Sequence, residues 1–309
     1  MFIEQAYKGN NDWWRVIITT FVSTIIFVLN FIVFLVFPQE DIDKSYELMN
    51  SMPKIISLIL NLIPFAILLG ILFLLVFFLH QRSILSLTTS RVKVDFKRIA
   101  FSFGLIVFFS ILTFGVSYYY DHSNIVWNFH PYKFLLLFVV SCILFPFQIG
   151  FEEYLFRGYL MQQIGIIAKN RWFPFVITSV FFGLFHSANP EVSEMGYGVM
   201  FFYIGTGFLL GLMTLMDEGL ELSLGFHLGN NMIAALLITS DYSALQTDAV
   251  FKLSAKEPSS DTLNEMIITM LIVYPILIFI LAKKYKWTNW KEKLTGKVTE
   301  NINFNTLES

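Results

Sequence analysis

The chain has 309 residues, of which 56% are hydrophobic, 17% aromatic and only 14% charged, with a net charge of −2 and 35 Phe. A soluble domain carries about a quarter charged residues, so this composition excludes an ordinary soluble globular protein and specifies an integral membrane protein. The single Cys142 lies in an apolar run, which rules out an intrachain disulfide and reads as a small buried or lipid-facing hydrophobe.

The opening stretch MFIEQAYKGNNDWWR is polar and ends on Trp13, Trp14 and Arg15, the aromatic and basic residues of a membrane interface. The apolar run after it is longer than the about 7–15 residues of a signal-peptide core and leads to no small-residue cleavage site. It is therefore expected to stay as a first transmembrane helix. In chain order, Val16–Phe37, Ile55–Leu79, Ile99–Tyr119, Gly196–Met216 and Met266–Ala282 reach or approach the roughly 20 apolar residues of a span. Phe134–Ile149, Phe173–Ser187 and Leu220–Ser240 are interrupted by polar residues. The expectation is an all-α, polytopic integral membrane protein with about eight transmembrane helices. Three organisational segments follow: 1–133 with the first three helices, 134–240 as a core of four, and 241–309 with the last helix and a basic, then polar tail.

Lys and Arg set the expected topology. With the N-terminus inside, most of the 21 basic residues fall in the N-terminal stretch, 80–98, 151–172 and the tail, leaving Lys44, Lys54, Lys133, Lys252 and Lys256 outside. That bias predicts a multi-pass cell-membrane protein with both termini in the cytoplasm. The outer connections 38–54 and 241–265 read as an acidic and a polar loop. No nucleic-acid partner is expected; the bilayer and a membrane-associated peptide or protein are.

Ionisable groups inside spans are functional candidates by default. Here they form three groups: Glu152, Glu153 and Arg157; His186 in VFFGLFHSAN; and His227 with Asn231 in LGFHLGNNM. His80, His122 and His130 fall at span edges or in loops and are expected at the surface. Residues four apart share a helix face, so Glu153 can pair with Arg157. Glu152, turned about 100° away, is left without a partner from its own helix. His227 and Asn231 share a face in the same manner.

A carboxylate in a low-dielectric pocket can act as a general base near neutral pH, and a His beside it can share the same water. A second His and an Asn facing a peptide carbonyl can stabilise the oxyanion that forms on attack. No Gly-x-Ser-x-Gly and no His-Glu-x-x-His motif is present, which disfavours a nucleophilic serine and excludes a zincin-type site. Zinc held by Glu152, His186 and His227 stands as an alternative to metal-free water activation, which needs no cofactor. Against both stands plain packing. Polar groups can glue membrane helices together, and Ser179-x-x-x-Gly183 and Gly207-x-x-x-Gly211 have spacings that serve close helix approach. Three polar clusters on separate spans favour the functional reading.

Taken in order, Glu152-Glu153-x-x-x-Arg157, Phe182-x-x-x-His186 and His227-x-x-x-Asn231 resemble the motifs of the CAAX-protease and bacteriocin-processing family (CPBP, also called Abi), which includes the type II CAAX prenyl endopeptidases. The resemblance covers residues of about 134 to 240. It implies a glutamate-dependent intramembrane endopeptidase with Glu152 as general base and His186 assisting the water. His227 and Asn231 would form the oxyanion hole, and Arg157 would hold Glu153, with Phe182 in support. It further implies peptide maturation, bacteriocin processing or self-immunity, although the family is also labelled metalloprotease. A non-catalytic scaffold regulating a partner such as a sensor kinase, or a transporter with polar mid-membrane residues, are the rival readings.

Depth raises a difficulty. At 1.5 Å per residue, Glu152 lies about 27 Å along a straight helix from Phe134, whereas His186 is about 20 Å up from Phe173 on the opposite approach. A kink at Pro146, or continuation of the helix past Arg157 as far as Ile167, would bring them level.

Overall fold

A computed structural model describes residues 1–241, 243–254 and 260–300. The end of the polar tail, 301–309, and part of the 241–265 connection lie outside the described residues. Each stretch expected to span forms a helix. Helix α1 covers Trp13–Val36, and α2 (Gln39–Ser51) turns the expected acidic loop into an amphipathic helix with a Glu40–Lys44 pair one turn apart. Helix α3 (Lys54–Leu74) runs on through a π-helical turn to Leu79, and a short α4 (Ile84–Thr88) leads to α5 (Phe96–Tyr120). Asp95 caps α5 by accepting from the Lys97 amide at 3.0 Å.

Helix α6 (Pro131–Glu153) starts with Pro at its first position, where the missing N–H costs nothing. It continues through a π-helical turn, Tyr154–Leu160, into α7 (Met161–Ala168), and Pro146 sits inside it. Then follow α8 (Trp172–Leu184), α9 (Pro190–Met195), α10 (Val199–Asp217), α11 (Glu221–Leu237), α12 (Ser260–Tyr285) and α13 (Trp290–Thr295). Among the described residues, six helical stretches are long and apolar enough to cross a membrane: Trp13–Val33, Lys54–Leu79, Phe96–Tyr120, Pro131–Ala168, Val199–Asp217 and Thr262–Tyr285. The other two of the expected eight, α8 with 13 residues and α11 with 17, are shorter. The molecule is thus an all-α multi-pass membrane protein, with little sheet.

That sheet lies at the far end of α11 and was not foreseen. Strands β1 (Ile125–Trp127), β2 (Ile238–Thr239) and β3 (Phe251–Leu253) order as β1-β3-β2, with β1 antiparallel and β2 parallel to β3. Strands of two and three residues carry no readable alternation: β1 and β3 fall between the expected spans, and β2 takes the last turn of the expected Leu220–Ser240 span.

The core is set by small residues. A Cβ at Gly207 would lie 2.4 Å from the Ser179 carbonyl oxygen, and one at Gly183 would strike Ile204, so α8 and α10 touch backbone to backbone. Gly225 and Gly229 do the same for α11 against Ile99 and Phe103 of α5. Close approach of this kind is how helices gain packing in a membrane, where no hydrophobic force drives them together.

At the other end, Arg91 reaches Asp217 Oδ2 at 2.8 Å and Glu221 Oε2 at 3.0 Å, and Arg98 also binds Asp217. Glu218 is left-handed (φ 58°), and the following Gly219 has no room for a side chain, which closes the tight α10–α11 turn. Glu4 pairs with Arg171 at 2.6 Å, and Asn170 bridges Lys297, so the first residues and the stretch around Lys297 meet at this basic end. His80 contradicts the surface expectation. It is buried, with Nε2 3.0 Å from the Thr19 hydroxyl and 3.1 Å from Tyr159, and Nδ1 2.7 Å from the Asn10 carbonyl. Three polar partners offset the cost of removing its ring from water. His122 and His130 are exposed as expected.

Candidate active site

Glu152, Glu153 and Arg157 occupy the junction of α6 with the π-helical turn, a distortion that often marks functional sites in helices. All three are buried, at 4%, 0% and 0% exposure. Arg157 Nη1 donates to Glu153 Oε1 at 2.9 Å, the pair expected from the four-residue spacing. Its Nη2 donates to the Gly207 carbonyl at 3.1 Å, and Ser179 Oγ donates to the same oxygen at 3.1 Å. The α8–α10 contact through Gly207 therefore anchors the guanidinium that anchors Glu153. Below it lies the Phe182 ring, 4.1 Å from Arg157 Cζ.

His227 stands between the two carboxylates. Its Nδ1 lies 2.9 Å from Glu153 Oε1, and its Nε2 lies 3.5 Å from Glu152 Oε2. An ionised carboxylate only accepts, so Nδ1 carries the proton of the shorter contact. Phe182 meets the His227 ring edge-on at 5.7 Å. His186 follows one helical turn after Phe182 and donates from Nδ1 to the Phe182 carbonyl at 2.7 Å. In the neutral ring that leaves Nε2 as an acceptor, and the ring lies within electrostatic range of Glu152, His227 and Arg157. The motif Phe182-x-x-x-His186 thus has a plain meaning: its first residue holds the second, and its ring floors the cluster.

The three groups meet, and continuation of the helix from Pro131 to Ala168 explains how. Those 38 residues run about 57 Å, nearly twice a bilayer core of about 30 Å, so Glu152 lies well inside the helix rather than at its tip.

One expectation is corrected. Glu152 does have a partner on its own helix. Gln148 lies one turn earlier, and its Nε2 donates to Glu152 Oε1 at 2.5 Å. The Gln148 carbonyl oxygen accepts in turn from Asn231 Nδ2 at 3.1 Å. An amide four residues before a carboxylate in an apolar run was the available signal. Tyr203 was missed as well. It stacks on His186 at 4.5 Å, and its hydroxyl accepts from Asn189 at 3.2 Å. Glu152 Oε2 makes no hydrogen bond; neither does Glu153 Oε2 within geometric limits, although the Ser223 hydroxyl is its neighbour.

Among the described residues, no three His, Cys, Asp or Glu side chains are arranged to hold a metal ion. In the candidate trio of Glu152, His186 and His227, both Nδ1 atoms are committed to neighbours and one Glu152 oxygen to Gln148, so the two Nε2 atoms and Glu152 Oε2 are the donors that zinc would take.

Residues 129–233 match a family model described as Rce1-like, type II CAAX prenyl endopeptidase. The chain is 29% identical over 250 residues to the uncharacterized protein YyaK of Bacillus subtilis (strain 168), spanning 76% of this chain and 81% of that one. No solved structure matches. The matched segment holds Glu152, Glu153, Arg157, Phe182, His186, His227 and Asn231 together, so the resemblance read from these ordered motifs is shown where they stand: residues 129–233 are similar to the Rce1-like type II CAAX prenyl endopeptidases.

Proposed function

We propose that the chain is a glutamate-type intramembrane endopeptidase acting on a membrane-associated peptide or protein at the cell membrane, with its basic end in the cytoplasm. One observation carries this reading. Of two adjacent buried carboxylates, Glu153 has its charge met by Arg157, while Glu152 turns an oxygen without a hydrogen bond toward His227 Nε2. A structural ion pair explains the first and leaves the second over.

In this reading Glu152 Oε2 takes a proton from a water that His186 Nε2 also holds. The water oxygen bonds to the peptide carbonyl carbon, and the carbonyl electrons move onto its oxygen. His227 and Asn231 lie on one face of α11. The oxyanion is held between the His227 ring and the Asn231 amide hydrogen not given to Gln148. Collapse breaks the C–N bond, and Glu152 returns its proton to the leaving amine. Low dielectric around the cluster strengthens each of these interactions. No step is routed through a metal, so chelation leaves turnover unchanged.

The test uses full-length protein in liposomes with a panel of quenched fluorescent peptides. Each peptide carries an apolar anchor, either a farnesylated C-terminal Cys or a single Leu/Ala helix. Wild-type protein cleaves at least one peptide, and Glu152→Gln and His227→Ala lose cleavage by about 100-fold or more. Absence of cleavage by wild-type protein, or undiminished cleavage by both variants, contradicts the reading.

A further inference from the structure

Gln148 is an uncharged residue outside all three recognised motifs, yet it touches two of them. It sits on α6, buried to 8% exposure. A carboxylate can only accept, so the Gln148 NH2 faces Glu152 and its carbonyl oxygen must face α11. There it meets the NH2 of Asn231 at 3.1 Å, and Asn231 Oδ1 accepts from Asn230 Nδ2 at 3.2 Å. The result is a chain of hydrogen bonds running one way, from Asn230 through Asn231 and Gln148 to Glu152. Every amide orientation along it is dictated by the carboxylate at its end, and bonds in such a chain polarise one another.

We propose that Gln148 is a positioning residue that couples the general base to the oxyanion-binding amide, an assignment that rests on the protease reading above. Its donor end occupies Glu152 Oε1, so Oε2 is the oxygen turned to the reacting water. Its acceptor end takes one hydrogen of Asn231 and leaves the other directed at the substrate carbonyl. A primary amide donates from its nitrogen to a carboxylate while its oxygen accepts from another amide, two atoms facing two partners at once. Asn at the same position is one methylene too short to span both partners, and Glu would set a second carboxylate against Glu152.

The test is a double-mutant cycle on the full chain in liposomes, with whichever anchored peptide of the panel the wild type cleaves. Gln148→Met keeps the side-chain volume and removes both hydrogen bonds. It is expected to lower kcat by about 10–100-fold with KM changed by less than about three-fold. Adding Asn231→Ala to Gln148→Met is expected to cost less than about three-fold more, against about 10–100-fold in the wild-type background. If Gln148→Met does not accumulate as folded protein, Gln148→Glu serves, with an equal or larger loss of kcat. A Gln148 variant that matches wild type, or losses that multiply without coupling, while Glu152→Gln is inactive, overturns this assignment alone. Wild-type protein that cleaves no peptide, or Glu152→Gln that still cleaves, overturns the protease reading and the assignment with it.

Discussion

Two clusters of buried charge lie along α10, about 15 Å apart by helix rise, and they are built in opposite ways. At the basic end, Asp217 and Glu221 receive Arg91, Arg98, Trp287 and the Asp95 amide, and each of their four carboxylate oxygens has a donor. Level with Gly207, the single arginine pairs with Glu153, and Glu152 Oε2 is approached by His227 Nε2 at 3.5 Å without a hydrogen bond. The first cluster is complete and closes a turn. The second is incomplete in one direction, toward the polar groups of three helices. Buried charge alone therefore does not distinguish the two clusters; in the protease reading, the carboxylate left over after the ion pairs are counted does.

The sharpest way to break this comparison is to remove one arginine from each cluster. Arg157→Met leaves Glu153 buried and uncompensated, a change that costs about 3–5 kcal/mol, and the thermal unfolding midpoint in detergent should fall accordingly. Arg91→Met leaves Arg98 on Asp217 and the Asp95 amide on Glu221 and empties a guanidinium site that was 26% exposed, so a smaller loss, about 1–3 kcal/mol, is expected. Peptide cleavage per folded molecule should survive in Arg91→Met and disappear in Arg157→Met. Equal behaviour of the two variants would dissolve the distinction.

A second variant sharpens the link between packing and site. Gly207→Val cannot fit beside the Ser179 carbonyl, so α8 and α10 must separate and Arg157 loses its backbone acceptor. The expected cost is about 1–3 kcal/mol, together with reduced turnover, read by unfolding and cleavage on the same preparation.

The smallest effect belongs to a group outside both clusters. Burial lowers the pKa of His80 below its ordinary value. The unfolded chain then takes up a proton near pH 6.5 while the folded one resists it, so this group's contribution to stability falls as pH drops through that range. His80→Gln should show a smaller difference in unfolding midpoint between pH 7.5 and pH 5.5 than the wild type.

Much of this was legible in the sequence. Apolar length located the helices, and four-residue spacing found the Glu153–Arg157 pair. Small-residue spacing marked Ser179, Gly183, Gly207 and Gly211 for close packing but not which helices would meet there. The reading stopped where a structure depends on contacts far apart in sequence. His80 looks like an edge residue until Thr19 and Tyr159 close around it, and β1 and β3 pair across more than a hundred residues. Gln148 was within reach, one turn before Glu152, but a neutral amide carries no charge signal. Its importance comes from Asn231 on another helix.

The most direct measurement sets Glu152→Gln beside Glu153→Gln, recording thermal midpoint and cleavage of an anchored peptide for each. The account predicts that Glu152→Gln keeps the wild-type midpoint and loses cleavage by about 100-fold or more, whereas Glu153→Gln lowers the midpoint because Arg157 is left buried without its counter-ion. A destabilised Glu152→Gln that still cleaves, beside a stable and inactive Glu153→Gln, would contradict it.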